Sequence, residues 1–269
     1  MPAIEVVDTA REAGRLATSV REAGVLARSM FGTPLKSWIK GASSPVSEAD
    51  IAVDTLLRQR LTGDGSAIGW LSEESTDDPA RLDARYLWIV DPIDGTRAYI
   101  AGQPDWTVSA ALVENGRPIV GCLYAPISEE FFMAIVGAGA TCNGATIAAS
   151  RGADLADARL AGPKFLLERL SAAAPPFAVV PRIRSLALRF ARVAQGALDA
   201  AFAGGDSHDW DLAAADLLVH EAGGALTSLN GEAVTYNRPV PRHGMLVAAG
   251  RDRHATLIEL FGDERAVSP

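Results

Sequence analysis

The sequence predicts an α+β fold, and three stretches of the chain carry this prediction. Two amphipathic helices are predicted first, because apolar residues recur at helical spacing over 6–30 and 48–61. An antiparallel meander is predicted next, since strand-like runs lie on both sides of Asn115-Gly116, the strongest short hairpin signal. Beyond residue 151 short helices and strands alternate. Helices and antiparallel strands in separate stretches are typical of the α+β class.

The N-terminal elements follow from periodicity and capping. Glu and Arg lie between the apolar positions from Val6 to Met30, which gives the first helix one polar face. A loop rich in Gly, Ser and Pro follows it. Glu48 to Leu61 is again helix-periodic, and Ser47 is suited to cap the N-terminus of this second helix.

The middle of the chain is predicted to form strands. Tyr86 to Val90 is a short apolar run rich in β-branched and aromatic residues, which indicates a buried strand that Asp91-Pro92 ends. The hairpin around Asn115-Gly116 pairs 107–114 with 118–125, and Asn143-Gly144 marks a second hairpin. A further strand is predicted over 130–136.

The C-terminal part has shorter elements. They are predicted as a helix over 164–170, a strand near 177–180, a helix over 186–195, a strand over 200–202, a helix over 211–222, a strand over 244–249 and a helix over 254–261. The change of pattern near residue 150 predicts two subdomains, 1–150 and 151–269, within one structural unit.

Composition and charge exclude several classes of protein. The 269 residues are 48 % hydrophobic and 22 % charged, which is typical of a globular chain rather than a disordered one. A net charge of −8 without any basic run argues against a nucleic acid polymer as partner. No run of 18 apolar residues and no signal-like N-terminus occur, so neither membrane insertion nor export is expected. Cys122 and Cys142 are the only cysteines, so we expect a cytoplasmic location.

Acidic residues cluster where predicted elements end. Such clusters are usually surface charge or helix caps, but Asp91 and Asp94 directly follow an apolar strand, where ligands bind in many α/β folds. Pro92 and Gly95 force an irregular turn there, which can direct both carboxylates and the Ile93 carbonyl to one place. An all-oxygen set of this kind suits Mg²⁺. Glu73-Glu74 and the pair Asp209 and Asp211 are the other acidic clusters.

The same turn also predicts an anion site. The backbone N–H groups of Gly95 and Thr96 begin the next segment, and unpaired N–H groups at a helix start bind phosphate. A covalent phospho-aspartate mechanism of the haloacid dehalogenase type is disfavoured, because its two aspartates lie two residues apart and these lie three apart. The four histidines form no zinc-binding pair. Metal and phosphate sites are therefore predicted to coincide.

Four motifs together resemble the inositol monophosphatase superfamily of Mg²⁺-dependent, Li⁺-sensitive phosphomonoesterases. They are Ser44-Pro-Val-Ser-Glu-Ala-Asp50, Ser72-Glu-Glu-Ser75, Trp88-Ile-Val-Asp-Pro-Ile-Asp-Gly-Thr96, and Trp210-Asp-Leu-Ala-Ala214 followed by Glu221-Ala-Gly-Gly224. The resemblance implies a layered α-β-α-β-α sandwich of the inositol monophosphatase and sugar phosphatase type. It also implies two or three Mg²⁺ ions per site and, as is common in the family, a homodimer.

The resemblance assigns roles residue by residue. The implied metal ligands are Glu73, Asp91, the carbonyl of Ile93, Asp94 and Asp211, with Glu74 just outside them. Asp50 and Thr96 match the pair that orients the attacking water, and the amides of Gly95 and Thr96 match the phosphate cradle. Most of these ligands fall in the N-terminal subdomain, and Asp211 of the C-terminal one completes the site. No covalent intermediate is implied.

Within the superfamily, the segments 44–51, 94–100, 121–126 and 185–196 look more like the 3'(2'),5'-bisphosphate nucleotidases than the inositol monophosphatases. The nucleotidases often carry Lys near Arg97 and Arg189, and Arg at either position would suit a second phosphate. The expected reaction is therefore hydrolysis of adenosine 3',5'-bisphosphate to AMP and phosphate.

Other functions stay open at this point. Inositol monophosphatase is the first alternative and histidinol-phosphate phosphatase the second. Asp206-Ser207-His208-Asp209 departs from what the nucleotidases or the inositol monophosphatases lead us to expect, which leaves the substrate pocket open. A catalytically silent binding module is the alternative from outside the enzymes. The presence of every implied ligand argues against that module.

Overall fold

The computed structural model describes residues 7–41, 44–63 and 68–263. The helices are α1 Thr9–Met30, α2 Glu48–Leu61, α3 Thr96–Ile100, α4 Lys164–Ser171, α5 Leu186–Ala194, α6 Asp209–Glu221 and α7 Arg251–Asp263, with a 3₁₀ turn at Pro79–Asp83. The strands are β1 Ser37–Lys40, β2 Ser44–Ser47, β3 Gly69–Ser72, β4 Tyr86–Asp94, β5 Thr107–Glu114, β6 Arg117–Ala125, β7 Glu130–Ile135, β8 Gly139–Cys142, β9 Ala145–Thr146, β10 Arg159–Ala161, β11 Ala178–Val179, β12 Ala200–Ala203, β13 Ser207–His208, β14 Gly224–Ser228, β15 Arg242–His243 and β16 Leu246–Gly250.

Two sheets lie between layers of helices in the described residues. The first has the order β3-β4-β5-β6-β7-β8-β9, and its strands are antiparallel except for the parallel pair β3 and β4. Helices α1 and α2 pack on one face of it, and α5 and α6 pack on the other. The second sheet, β11-β10-β12-β16-β14, packs on the far side of α5 and α6, and α4 and α7 cover its outer face. The predicted α-β-α-β-α layering is confirmed.

Strand β4 is buried over its whole length, which explains its unbroken apolar sequence. Helices cover both faces of the sheet, so residues on both sides of β4 contact the core, as in other doubly covered sheets. The strand continues past its predicted end at Val90, and its pairing with β5 shifts register between Asp91 and Asp94. Bulges of this kind often lie next to active sites, where they redirect side chains.

Most of the predicted elements are present, with small differences in length. The hairpin β5–β6 turns at Asn115-Gly116, and β8–β9 turns at Asn143-Gly144. Helix α2 has the predicted bounds, with Ser47 at its N-cap. Helix α1 begins at Thr9 behind the N-cap Asp8, and Val6 lies outside the described residues. The loop predicted between α1 and α2 instead contains the hairpin β1–β2.

The predicted boundary at residue 150 falls between β9, the last strand of the first sheet, and β10, the first strand of the second. One hydrophobic core fills the space between the sheets, and it contains Phe132 from one side of that boundary and Phe190 and Ala248 from the other. Cys122 and Cys142 are both buried free thiols. No helix in the described part of the chain combines the length and apolar character that a membrane span requires.

Candidate active site

Three buried or partly buried carboxylates meet between the two halves of the chain. Asp91 and Asp94 lie at the end of β4, and Asp211 lies in the first turn of α6, with one carboxylate oxygen from each within 4.8 Å of the others. Glu73 directly follows β3, whose parallel pairing with β4 brings the carboxyl ends of both strands to the same edge. Its N–H donates to Val90 O at 3.3 Å. The structure thus gathers four of the predicted metal ligands.

Burial raises the pKa of every one of these carboxyls, and repulsion by neighbouring carboxylates raises it further for Glu73, Asp91 and Asp211. Burial raises the pKa of Asp91 and of Asp211 well above the ordinary value, and the neighbouring carboxylates add to the effect. Burial, and next the charge of Glu74, raise the pKa of Glu73 to about 7. Burial also raises the pKa of Asp94, although hydrogen bonds to its carboxylate oppose the shift. A cation bound among these carboxyls would stabilise their ionised forms.

The donor set fits Mg²⁺. All candidate ligands are oxygen atoms, which this hard cation prefers, and no soft sulfur or imidazole nitrogen belongs to the cluster. Asp91 Oδ1 and Glu74 Oε1 are buried and find no hydrogen-bond partner among the described residues. Buried polar atoms almost always have a partner, so an oxygen left unpaired inside an acidic cluster points to a bound ion. The predicted ligand Ile93 is fully buried in β4 between the two aspartates.

Asp94 is held by the N-terminus of α5. Its Oδ2 accepts hydrogen bonds from Ser185 Oγ at 2.6 Å and Ala187 N at 2.7 Å, and its Oδ1 accepts one from Leu186 N at 3.2 Å. The first turn of a helix offers such unpaired N–H groups. Asp94 therefore connects the end of β4 to a helix from the other half of the chain.

The turn that carries Glu73 and Glu74 is fixed from α2. Asp54 lies one helical turn after Asp50, and its carboxylate accepts hydrogen bonds from the hydroxyls on both sides of the Glu-Glu pair, at 2.5 Å from Ser72 and 2.7 Å from Ser75. Asp54 was not among the predicted residues. Its spacing of four from Asp50, which places both on one face of a helix, is the signal that could have found it.

Lys40 at the end of β1 is a second residue that the sequence analysis missed. Its ammonium donates to Glu74 Oε2 at 3.0 Å and also to the backbone carbonyl of Glu73. Burial raises the pKa of the Glu74 carboxyl, and the Lys40 charge opposes that shift. A positive charge thus already partly balances the acidic turn.

Asp50 and Thr96 are neighbours, as the sequence led us to expect. Thr96 Oγ1 lies 3.2 Å from Asp50 Oδ1 and 3.0 Å from Ile93 O, and its one proton can be donated to either acceptor. Asp50 Oδ2 accepts from the N–H of Ser47 at 2.8 Å and from its hydroxyl at 2.5 Å. Both side chains are buried beside the acidic cluster. The pair can share a proton with a water molecule that approaches Thr96.

Gly95 supplies the sharp turn from β4 into α3. It adopts a φ of +96°, which favours glycine, and an added Cβ would lie 3.0 Å from Asp105 O and 3.3 Å from Ser185 N. A cavity of about 160 Å³ adjoins the turn. Its lining residues are Pro45, Gly95, Thr96, Arg97, Arg182 and Arg184.

The two predicted substrate arginines have different surroundings. Arg97 is exposed and lines the cavity beside Gly95. Arg189 is only 7 % exposed, and its guanidinium donates to Phe202 O at 3.0 Å and to Ile183 O at 2.6 Å. It lines a different and larger cavity, next to α4 and β11. The structure therefore brings Arg97, and not Arg189, to the predicted phosphate cradle.

Comparisons with known proteins agree with this geometry. Residues 9–266 match the model of the inositol monophosphatase family. The chain belongs to the inositol monophosphatase family. A histidinol-phosphatase of Mycobacterium tuberculosis is 38 % identical over 226 residues, which cover 77 % of this chain and 84 % of that protein. The 3'(2'),5'-bisphosphate nucleotidase CysQ of Aggregatibacter actinomycetemcomitans is 28 % identical over 236 residues, which cover 81 % of this chain and 84 % of that one.

A solved structure shows the same architecture. The extragenic suppressor protein SuhB of Bartonella henselae superimposes with a TM-score of 0.82 at 28 % identity, and the match covers 93 % of this chain and 98 % of that one. Membership in the inositol monophosphatase family makes the protein a phosphomonoester hydrolase that acts on a small phosphorylated molecule and uses Mg²⁺. The alternative of a catalytically silent module is thereby set aside.

In this family member, the segment 206–209 leads into α6, whose first turn carries Asp211 of the acidic cluster. Asp209 is fully buried, with Oδ1 at 2.7 Å from His243 Nε2 and Oδ2 accepting from Asn237 N at 2.8 Å. The N–H of His208 donates to Asp211 Oδ2 at 2.6 Å, and the His208 ring stacks on Trp210. These contacts fix the start of α6, and so the position of Asp211.

Proposed function

We propose that this phosphatase is a 3'(2'),5'-bisphosphate nucleotidase, which hydrolyses adenosine 3',5'-bisphosphate to AMP and inorganic phosphate. The observation that carries the proposal is the basic cavity that opens directly beside Gly95 and Thr96, with Arg97 in its wall. Arginine binds phosphate oxygens by paired hydrogen bonds, so a substrate with a second phosphate gains affinity there. The resemblance of four sequence segments to the nucleotidases and the CysQ relative support the same substrate class.

Different residues of this chain bind the metal and orient the attacking water. Glu73, Asp91, Asp94 and Asp211, with the carbonyl of Ile93, would hold Mg²⁺, and Mg²⁺ bound there supplies the positive charge that neutralises the phosphate and favours ionisation of the attacking water. Asp50 accepts a proton through the Thr96 hydroxyl and so orients that water.

The remaining groups position the substrate and the ligands. The N–H groups of Gly95 and Thr96 bind the oxygens of the reacting phosphate at the start of α3. Glu74 is tied to Lys40 and keeps the Glu73 turn in place.

Histidinol phosphate is a second candidate substrate, because the 38 % identical relative is a histidinol-phosphatase. That molecule carries a cationic amine, and three arginines around the cavity would repel it. Inositol monophosphate has no charged group besides the phosphate that is hydrolysed, so a second-phosphate site adds nothing to its affinity. The basic cavity therefore favours the bisphosphate over both.

A substrate panel tests the proposal. Phosphate release with Mg²⁺ is measured on adenosine 3',5'-bisphosphate, inositol monophosphate, histidinol phosphate and fructose 1,6-bisphosphate. The highest kcat/KM is expected on the adenosine bisphosphate. A higher kcat/KM on any of the other three compounds would contradict the proposed substrate.

Two further properties belong to the proposal. We infer a homodimer, as is common in the family, and size-exclusion chromatography with light scattering tests it: a monomer mass would contradict it. A cytoplasmic location agrees with two buried thiols that form no bridge in the structure.

A further inference from the structure

We propose that Arg182 and Arg184, together with Arg97, form the binding site for a second phosphate of the substrate, and that Arg189 holds this site in position without touching the phosphate. This inference rests on the proposed phosphatase function. It adds two residues that the sequence analysis did not single out, and it gives Arg189 a different role from the predicted one. The ligand is a phosphomonoester that carries another phosphate near the one that is hydrolysed.

The cavity has the composition and the size of a phosphate site. Arg97 comes from α3, whereas Arg182 and Arg184 come from the connector before α5, so the basic groups approach from separate parts of the chain. The cavity measures about 160 Å³. A water molecule takes about 30 Å³ in the liquid, so there is room for a phosphate group with hydrogen-bonded arginines around it. Gly95 and Thr96 line the same cavity, which places the second phosphate beside the first.

Two of the three arginines around the cavity lack a salt bridge among the described residues. Within the ranges that the structure describes, neither the Arg182 nor the Arg184 guanidinium forms an ion pair, whereas many other arginines do, including Arg28 with Glu129 and Arg192 with Glu130. A chain with a net charge of −8 has many carboxylates available for pairing. The like charges of Arg182 and Arg184 face one cavity and repel each other, and an anion that enters the cavity lowers this repulsion.

Hydrogen bonds hold the connector that carries Arg182 and Arg184 in place. The N–H of Arg184 donates to Asp105 Oδ2 at 2.6 Å, and the N–H of Ser185 donates to Asp105 O at 3.2 Å. Ser185 Oγ in turn donates to Asp94. The segment with the two arginines is therefore tied to the acidic cluster, which sets the distance between the reacting phosphate and the second one.

Arg189 completes this support from inside the protein. Its Nη2 donates to Ile183 O, the carbonyl between the two arginine positions, and its Nη1 donates to Phe202 O in β12. Burial lowers the pKa of Arg189, and the positive charge of Arg182 adds to that effect. Both terminal nitrogens of the guanidinium bind backbone carbonyls, the buried Nε finds no hydrogen-bond partner among the described residues, and Arg189 does not line the cavity that Arg97 lines. Arg189 is thus a positioning residue.

The experiment compares two substrates that differ only in the second phosphate, adenosine 3',5'-bisphosphate and adenosine 3'-monophosphate. Arg182→Ala and Arg184→Ala should each lower kcat/KM on the bisphosphate about tenfold, mainly through KM, and change it less than twofold on the monophosphate. Arg151→Ala is the matched control, because it removes an exposed arginine on the connector between β9 and β10. This variant should leave kcat/KM unchanged on both substrates.

Arg189→Lys separates positioning from binding. Lysine keeps the charge but cannot reach both carbonyls in the same geometry, so the melting temperature should fall, and kcat/KM should fall more on the bisphosphate than on the monophosphate. A loss confined to the bisphosphate, at an unchanged melting temperature, would make Arg189 a ligand and overturn its assigned role.

Binding of AMP, measured by calorimetry, needs no turnover. AMP retains the phosphate that is not hydrolysed, so its Kd should rise about tenfold in Arg182→Ala and Arg184→Ala. Equal losses on both substrates, or unchanged AMP affinity, would overturn the second-phosphate site while the phosphatase stands. Absence of phosphate release from every panel compound would instead overturn the proposed function, and the AMP affinities would still decide on the site.

Discussion

Ser185 Oγ donates a 2.6 Å hydrogen bond to Asp94 Oδ2 across 91 positions of the sequence. The same hydroxyl accepts from Leu188 N at 3.0 Å and so also caps α5. One buried side chain thus connects the acidic cluster at the end of β4, the proposed metal site, to the helix that carries Arg189. The two halves of the chain share the site through this contact.

Ser185→Ala should weaken both the helix and the site. Loss of the cap costs about 1 kcal/mol of the free energy of unfolding, and Asp94 loses one of three donors. We expect a lower kcat and a small fall in stability, measured by phosphate release and urea unfolding. Ser185→Thr keeps the hydroxyl and should restore most of both. Full activity of Ser185→Ala would show that Asp94 does not need this donor.

Asp54→Ala should change the response to Mg²⁺. The hydroxyls of Ser72 and Ser75 would lose their common acceptor, so the turn with Glu73 and Glu74 would loosen. We expect about tenfold more Mg²⁺ for half-maximal activity, because a ligand less well oriented binds the metal more weakly. Thr55→Ala on the exposed side of the same helix is the control. Identical Mg²⁺ curves for the two variants would refute the positioning role.

Metal dependence follows from the oxygen ligands and from the family. Excess EDTA should abolish phosphate release, and added Mg²⁺ should restore it. Ca²⁺ should inhibit, since its larger and looser coordination shell misplaces the water that Mg²⁺ holds octahedrally. Li⁺ at millimolar or lower concentration should inhibit as well. Full activity in excess EDTA would contradict the metal site.

Asp216 should make stability depend on pH, away from the active site. Burial raises its pKa to about 7 in the folded protein, against about 3.9 in an unfolded chain, although Tyr236 donates to it at 2.9 Å. The unfolded chain therefore loses this proton at a lower pH than the folded protein does. The contribution of Asp216 to stability is lost as the pH rises from about 4 to about 7.

The variant Asp216→Asn isolates this effect. A shift of about three pKa units corresponds to about 4 kcal/mol at most, so the free energy of unfolding of the parent should fall relative to the variant between pH 4 and 7. Urea unfolding at several pH values measures the difference. Parallel curves for the two proteins would show that Asp216 is not the group responsible.

Local signals predicted much of the fold. Asn115-Gly116 specifies a tight turn wherever it lies between strands, and the apolar run of β4 reports burial on both faces. The hairpin β1–β2 was missed because all four residues of β1 are exposed, so the sequence shows no alternation there. The pairing of β1 with β2 depends on contacts with neighbouring segments, and not on the burial of one face of β1.

The site was predictable where its residues form motifs along the chain. Asp91, Asp94 and Thr96 lie within six positions, and their geometry follows from one irregular turn. Asp54 accepts a hydrogen bond from Ser72, which lies 18 residues further along the chain. Arg182 is recognisable as a site residue only because it lines the same cavity as Arg97. Arg189 was predicted at the substrate, but one of its guanidinium nitrogens donates to Ile183 O in the connector before α5 and another donates to Phe202 O in β12. Such relationships arise from tertiary contacts that a local pattern does not contain.

Asp91→Asn tests the central claim, that the carboxylates at the end of β4 hold the catalytic metal. The substitution keeps the shape of a fully buried side chain and removes one negative charge from the cluster. Phosphate release from adenosine 3',5'-bisphosphate with saturating Mg²⁺ should fall about a thousandfold or more, while circular dichroism and the melting temperature show an intact fold. Activity within tenfold of the parent would contradict the account.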